Sequence, residues 1–290
     1  MHSEQVWPKV FIVVLSYNGG ELLQNCLASV SRVSYPNFSI VVVDNASTDD
    51  SLQKVRTNFP QVTVIENEKN LGFSGGNNIG LKYALEQQAD YVLLLNQDTE
   101  VEMDFLEKLV VTAEKDSQIG IVSPLIFWEK TDRVWFSGGR INWLTMKAIN
   151  ETSRSDGKYH ATGFITGCSM LIKKSAIEKI GLLDEKFFLY YEDADFSCRA
   201  QRAGFLTVID PAGRIYHFET SGAITGEKLY RLVFSGLLFF EKNSTGLMKI
   251  WISFFYKLRK IKNKIDLTFR NNENARIVKK AYNDFANGKY

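Results

Sequence analysis

The run Val10–Ser16, VFIVVLS, is short, continuous and rich in β-branched residues, which suits a strand buried on both faces of a sheet. The next segment turns helical, because Glu21 to Val33 brings Leu22, Leu23, Leu27 and Val30 to one side. The alternation then repeats. Ser39 to Val43 reads as a strand ending at Asp44, Ser51 to Asn58 as a helix, and Val62 to Glu66 as a third strand leading into a loop rich in Gly and Asn. Ile79 to Gln88 is the next helix and Tyr91 to Leu95 the next strand. Strands alternating with helices of about ten to fifteen residues predict an α/β fold with a mostly parallel sheet between helices. In such sheets ligands bind beyond the carboxyl ends of the strands. The residues to read are therefore Ser16, Tyr17 and Asn18, then Asp44, Asn45 and Ser47, then residues 70–78, then Asn96, Gln97 and Asp98.

From Phe105 the rhythm changes to a helix (Phe105 to Lys115), a strand (Ile119 to Ser123) and a looser aromatic stretch holding Trp128, Trp135, Phe136 and Trp143. With 290 residues and 45% hydrophobic content, the chain can bury one large core or two unequal ones, and a disordered or fibrous class is excluded. The formal charge of +2 is unevenly spread. Residues 242–290 hold twelve Lys or Arg against three acids, a local +9, which leaves −7 for residues 1–241. Cys26, Cys168 and Cys198 show no CxxC spacing, so a reducing cytoplasm is expected rather than a disulfide framework. Met1 to Lys9, with Glu4 and Pro8, lacks the pattern of a signal peptide. The longest apolar windows, Leu229 to Phe240 and Leu247 to Leu258, are interrupted by Arg231, Lys249 and Lys257, so no membrane span is expected.

Four motifs could carry chemistry. In VVVDNASTDDS, Asp44 follows an apolar strand and can accept a hydrogen bond from a base imide or a ribose hydroxyl; the plainer reading is a turn residue. In NLGFSGGNNIG, Gly72, Gly75 and Gly76 precede a helix and would let backbone approach a nucleotide, although the spacing matches neither a dinucleotide fingerprint nor a lysine-containing phosphate loop. YVLLLNQDTEV ends its strand in Asn96-Gln97-Asp98, where a carboxylate can hold a hard divalent cation. FFLYYEDADFSCRAQRAG sets Glu192, Asp193 and Asp195 at the start of a helix. Asp195 and Arg199 form an i,i+4 pair, whereas Glu192 and Asp193 beside an aromatic run should have raised pKa values suited to a base. His217, after a strand-like RIY, is a third ligand if it faces Asp98, and otherwise structural.

Taken in order, these segments, with VVLSYNGGELLQNCLASV at the start, TGCSMLIKKSAIEKIGLLDEKFFLYYEDADFSCRAQRAG later and YHFETS at the end, resemble glycosyltransferase family 2. They are most similar to its bacterial rhamnosyltransferase-like branch, over roughly residues 9 to 220. The resemblance implies a GT-A fold over residues 1–226, with a nucleotide-binding half to about residue 100 and an acceptor half after it. It implies inverting transfer from a dTDP- or UDP-sugar to a saccharide or lipid-linked acceptor, with Mn²⁺ or Mg²⁺ as cofactor. Asp44 would meet the nucleoside, and Ser16, Tyr17, Asn18, Gly76, Asn78 and Asn96 would line the nucleotide cleft. Asp98 and His217 would hold the metal. Asp193 would be the general base, with Glu192 beside it. The family's metal motif is usually Asp-x-Asp, and here Asn96 takes the first position.

Residues 227–290 read as a basic amphipathic helical segment, with Lys249, Ser253, Lys257, Lys260 and Lys264 on one face and Trp251, Phe254, Phe255, Leu258 and Ile261 over the remainder. It would lie on an anionic membrane surface at the inner face of the cell membrane, cover the catalytic domain, or join a homodimer. No nucleic-acid partner is expected. Two rival functions remain at this level: a sugar nucleotidyltransferase, which would want a basic phosphate loop that SYNGGELL lacks, and a non-catalytic nucleotide-sugar binder, which Asn96 keeps in play.

Overall fold

The apolar runs become the middle of one ten-stranded sheet. The computed structural model describes residues 6–153, 157–218, 224–269 and 273–289; Glu4 and residues 219–221, which end the YHFETS segment, lie outside them. In chain order the elements are β1 (Val10–Ser16), α1 (Gly20–Val30), β2 (Phe38–Asp44), α2 (Ser51–Asn58), β3 (Thr63–Glu66), α3 (Gly72–Glu86) and β4 (Tyr91–Asn96). There follow β5 (Thr99–Val101), α4 (Phe105–Glu114), β6 (Ile119–Trp128), β7 (Val134–Phe136), β8 (Gly139–Asn142), β9 (Lys147–Asn150), β10 (His160–Ala161) and β11 (Ser169–Lys173). The chain closes with α5 (Lys174–Ile180), α6 (Glu192–Arg202), β12 (Leu206–His217), α7 (Gly226–Asn243), α8 (Gly246–Phe269) and α9 (Glu273–Ala286).

The strands run in the order β10-β12-β6-β11-β4-β1-β2-β3. β1 lies parallel to both β2 and β4, so the α/β expectation holds; β11 is antiparallel between β4 and β6. Register aligns the strand exits: Ser16 pairs with Asp44, and Leu15 with Asn96. These central strands show no alternation of apolar and polar residues, since Val10, Ile12, Val13, Val14, Val41, Val42 and Val43 are all shut off from solvent, as burial on both faces requires.

Two sequence expectations need correction. β6 does not stop at Ser123 but continues through Pro124 to Trp128. Proline is tolerated there because Pro124 sits opposite Asp210, where β12 bulges between Asp210 and Arg214. The glycine-rich segment is the first half of α3 rather than a loop preceding it. Two of its glycines serve close helix-to-strand approach: a Cβ on Gly76 would come within 2.4 Å of Leu15 Cδ1, and one on Gly80 within 2.3 Å of Val13 Cγ1.

α7 seals the underside of α6. Buried Asp195 accepts hydrogen bonds from Arg199 Nε, Lys242 Nζ and Asn243 Nδ2, each at 2.9 Å. The expected Asp195–Arg199 pair is thus part of a larger knot that fixes the end of α7. The segment expected to form a helical extension from residue 227 therefore begins with a helix bound to the acidic one. Among the described residues no helix is long and apolar enough to cross a membrane.

Candidate active site

The sheet collects the expected strand exits on one edge. Asp44 is 4% exposed; its Oδ2 accepts from the Ser47 N–H at 3.0 Å, while buried Oδ1 has no hydrogen-bond partner among the described residues. A buried acceptor left so costs about 1–3 kcal/mol, and a ligand N–H or hydroxyl would relieve it. Asn18, in the left-handed region at φ 48°, takes the Thr48 N–H on its side-chain oxygen and gives its own N–H to Ser47 Oγ, so the first two exits are stitched together. Ser16 is buried beneath them with an unpartnered hydroxyl among the described residues. Tyr17 is half exposed, its backbone gripped on both sides by the Gln97 amide. Gln97, a strand-exit residue given no role from sequence, also takes the space beside Gly19, where a Cβ would meet Gln97 Oε1 at 2.5 Å.

Two residues expected to line the nucleotide cleft are engaged in packing and hydrogen bonding within the protein. Gly76 faces Leu15, which fills the space a side chain would take. Asn78 is buried, and its side chain accepts the Leu183 N–H and donates to the Leu183 carbonyl and Glu185 Oε1. It clamps the segment leading to the acid pair, a contact with a distant stretch of chain that local spacing does not reveal. Asn96 ends β4 through its main chain, its N–H bonded to the Cys168 carbonyl at 3.0 Å and its carbonyl to Thr99 Oγ1 at 2.7 Å.

β5 and β12 pair so that His217 stands opposite Thr99. This brings His217 Nε2 to 3.2 Å from Asp98 Oδ1, with the Trp135 ring edge-on to the imidazole at 4.4 Å between centroids. Burial would lower the histidine's pKa, but Cys168 and Asp98 outweigh it and push it up. Neither imidazole nitrogen, nor Asp98 Oδ1, makes a directed hydrogen bond among the described residues. An imidazole nitrogen and a carboxylate oxygen that approach to 3.2 Å without a well-directed hydrogen bond between them fit a cation. Among the described residues no group of three His, Cys, Asp or Glu could hold a metal without help, so the protein would offer two ligands and leave the rest to phosphate and water, as Mg²⁺ sites commonly do.

The acid pair reaches the same edge through the turn before β11. Asp193 Oδ2 accepts the Gly167 N–H at 2.9 Å and Oδ1 the Ala194 N–H at 2.7 Å, while the adjacent Cys168 holds Asn96 and acts on His217. Residues 167 and 168 thus link the acid pair to the Asp98–His217 pair. Preceding the acids, Tyr190 and Tyr191 both occupy the left-handed region, at φ 70° and 67°. Bulky side chains rarely adopt it. The turn is braced by α7, whose Ser235 hydroxyl donates to the Leu189 carbonyl at 2.8 Å and whose Phe239 ring lies 5.3 Å from Tyr191. Glu192 is buried with Oε2 unpartnered among the described residues. Burial, then the neighbouring Asp193, raises its pKa well above the usual 4.5. Burial also raises Asp193, against the pull of the Gly167 and Ala194 N–H groups.

Both carboxyls ionise less readily in the fold than in the unfolded chain, so the native state holds more protons and stability falls as pH rises from the unfolded value toward the folded ones. Glu192→Gln should remove much of that loss. Thermal unfolding is expected to show a gain at about pH 8 of roughly 2 °C or more per kcal/mol recovered, and little change near about pH 4.

A mostly parallel sheet with polar strand exits, an Asp–His pair and a buried acid pair at one edge fits a GT-A-type glycosyltransferase frame. The sequence pattern described as Glycosyl transferase family 2 matches residues 11–181, and the chain belongs to that family. It is 31% identical over 195 residues to the low-salt glycan biosynthesis hexosyltransferase Agl10 of Haloferax volcanii, a match covering 66% of this chain and 61% of that protein. It is 24% identical over 230 residues to the N-acetylglucosaminyl-diphospho-decaprenol L-rhamnosyltransferase of Mycobacterium tuberculosis, covering 71% of this chain and 75% of that one. These similarities put it with the rhamnosyltransferase-like branch. In fold it resembles the mannosyltransferase PcManGT from Pyrobaculum calidifontis, solved with GDP-Man and Mn²⁺, at a TM-score of 0.62 and 16% identity over 99% of this chain and 89% of that one.

Proposed function

We propose that the chain is an inverting glycosyltransferase that moves a sugar from a nucleotide diphosphate to a hydroxyl of a saccharide or lipid-linked acceptor in cell-surface polysaccharide synthesis. A dTDP- or UDP-sugar is the donor class, with rhamnose the first sugar to try because a relative of this branch is named for its transfer. The observation that carries the reading is the linkage of the Asp98–His217 pair to Asp193 through residues 167 and 168.

The roles follow from placement. Asp44, with its free buried oxygen, takes the nucleoside, and the Ser16–Asn18 exit flanks it. Asp98 and His217 would hold a divalent cation, Mn²⁺ or Mg²⁺, which would neutralise charge on the departing diphosphate. Glu192, buried beside Asp193, has its pKa pushed up by burial and then by that neighbouring carboxylate. Asp193, held by two N–H groups, accepts the proton of the acceptor hydroxyl as that oxygen bonds to the anomeric carbon and the carbon–diphosphate bond breaks. One displacement from the opposite face inverts configuration, with no glycosyl-enzyme intermediate.

A panel of sugar nucleotides, assayed for nucleotide release with and without Mn²⁺ and with simple saccharide acceptors, tests this. One donor should turn over in a Mn²⁺-stimulated, acceptor-dependent manner. Tight donor binding with no release for every donor and acceptor would instead favour a non-catalytic binding protein.

A further inference from the structure

α8 buries one side and leaves an apolar stripe on the other. Ile252 and Asn263 are buried, the latter giving its amide N–H to the Ala275 carbonyl at 3.0 Å and so fixing α9. On the far side Ile250, Phe254, Leu258, Ile261, Ile265 and Phe269 are between 43% and 82% exposed. Steps of three and four residues keep them within an arc of roughly 100° at about 3.6 residues per turn. Over about 1.5 Å per residue the stripe runs roughly 30 Å along the helix.

Lysines border it on one flank. Lys257, Lys260 and Lys264 lie beside the stripe and, with Lys279 of α9, rim a cleft of about 710 Å³ whose walls include Ile261, Leu267 and Tyr282. The cleft shares Ile261 with the stripe, so apolar surface and positive charge form one continuous face. Residues 242–290 carry a formal +9.

We infer that this face of α8 docks on a lipid bilayer rich in anionic headgroups, with the apolar stripe sunk to the acyl boundary and the lysines on headgroup phosphates. Charge complementarity selects that occupant. A second copy of the chain would bring its own basic segment against this one, whereas anionic lipid brings the opposite sign. The placement also has a direction. Trp251 Nε1 donates to the Leu144 carbonyl at 3.0 Å and Arg259 Nη2 to the Thr145 carbonyl at 2.8 Å. In the same β8–β9 connection Trp143 stacks on Phe239, which touches Tyr191 beside the acid pair. A docked α8 would therefore hold the acid pair near the bilayer. The docking itself does not rest on the transferase reading.

Co-sedimentation of the full chain with vesicles tests it without any turnover, using phosphatidylcholine alone and phosphatidylcholine mixed equally with phosphatidylglycerol. Binding is expected to the mixed vesicles, weakened by salt. Leu258→Glu with Ile261→Glu should reduce it about tenfold or more, and each of Lys257→Gln, Lys260→Gln and Lys264→Gln about fivefold. Circular dichroism should be unchanged, since all these side chains face solvent or the open cleft. Failure to bind mixed vesicles at low salt would overturn the inference, as would equal binding to both compositions. A concentration-dependent dimer dissolved by Leu258→Glu with Ile261→Glu, without vesicle binding, would assign the stripe to a second copy.

Discussion

Asp193→Asn is expected to slow sugar transfer by about 10²- to 10⁴-fold, the usual range for loss of a general base, while donor affinity stays nearly unchanged. Asparagine can still accept the Gly167 N–H that the aspartate holds at 2.9 Å, so the turn before β11 should survive, but its amide cannot take a proton. Burial raises the Asp193 pKa. Activity of the native chain should therefore rise with pH along an acid limb lying above the ordinary carboxylate range, because the base works only when ionised. In the variant that limb should disappear from the residual rate. A limb that persists unchanged would move the proton-accepting role elsewhere.

Asp98→Ala is expected to lower transfer by about 10²- to 10³-fold, the scale on which one group stabilising developing negative charge is commonly felt. Unlike the first variant it should also act before chemistry. Calorimetric binding of the nucleotide diphosphate alone should lose its Mn²⁺ dependence, since the alanine leaves His217 as one isolated ligand at this edge. Asn96 carries no charge, so Asp98 is the one acid of the Asn96-Gln97-Asp98 strand exit. The effect of removing Asp98 should be correspondingly large.

Which parts of this were readable from residue order depends on how local each cause is. Val10–Ser16 and Tyr91–Asn96 announce themselves because strands buried on both faces have no polar alternation to confuse the reading. The end of β6 did not, since proline usually marks a break and only the β12 bulge opposite Pro124 permits it. Gly76 is ambiguous in sequence for a different reason: close approach to a strand and close approach to a phosphate call for the same missing side chain, and here Leu15 fills the space at Gly76. Asp44, Asp98 and Asp193 could be picked out as acids at strand exits or helix starts. That Asp98 meets His217 could be posed from sequence only as a condition, because the contact depends on β5 pairing with β12. The left-handed Tyr190 and Tyr191 were invisible, having neither glycine nor asparagine to signal them. Their support comes from α7, remote in sequence, as do the Lys242 and Asn243 bonds to Asp195.

The decisive observation would be a crystal structure of the Asp193→Asn chain with its sugar-nucleotide donor and Mn²⁺. The diphosphate should rest against Asp98 and His217, and the side chain at 193 should lie across the anomeric carbon from the bond that breaks. A donor seated away from Asp98, or residue 193 on the same side of that carbon as the diphosphate, would contradict the account.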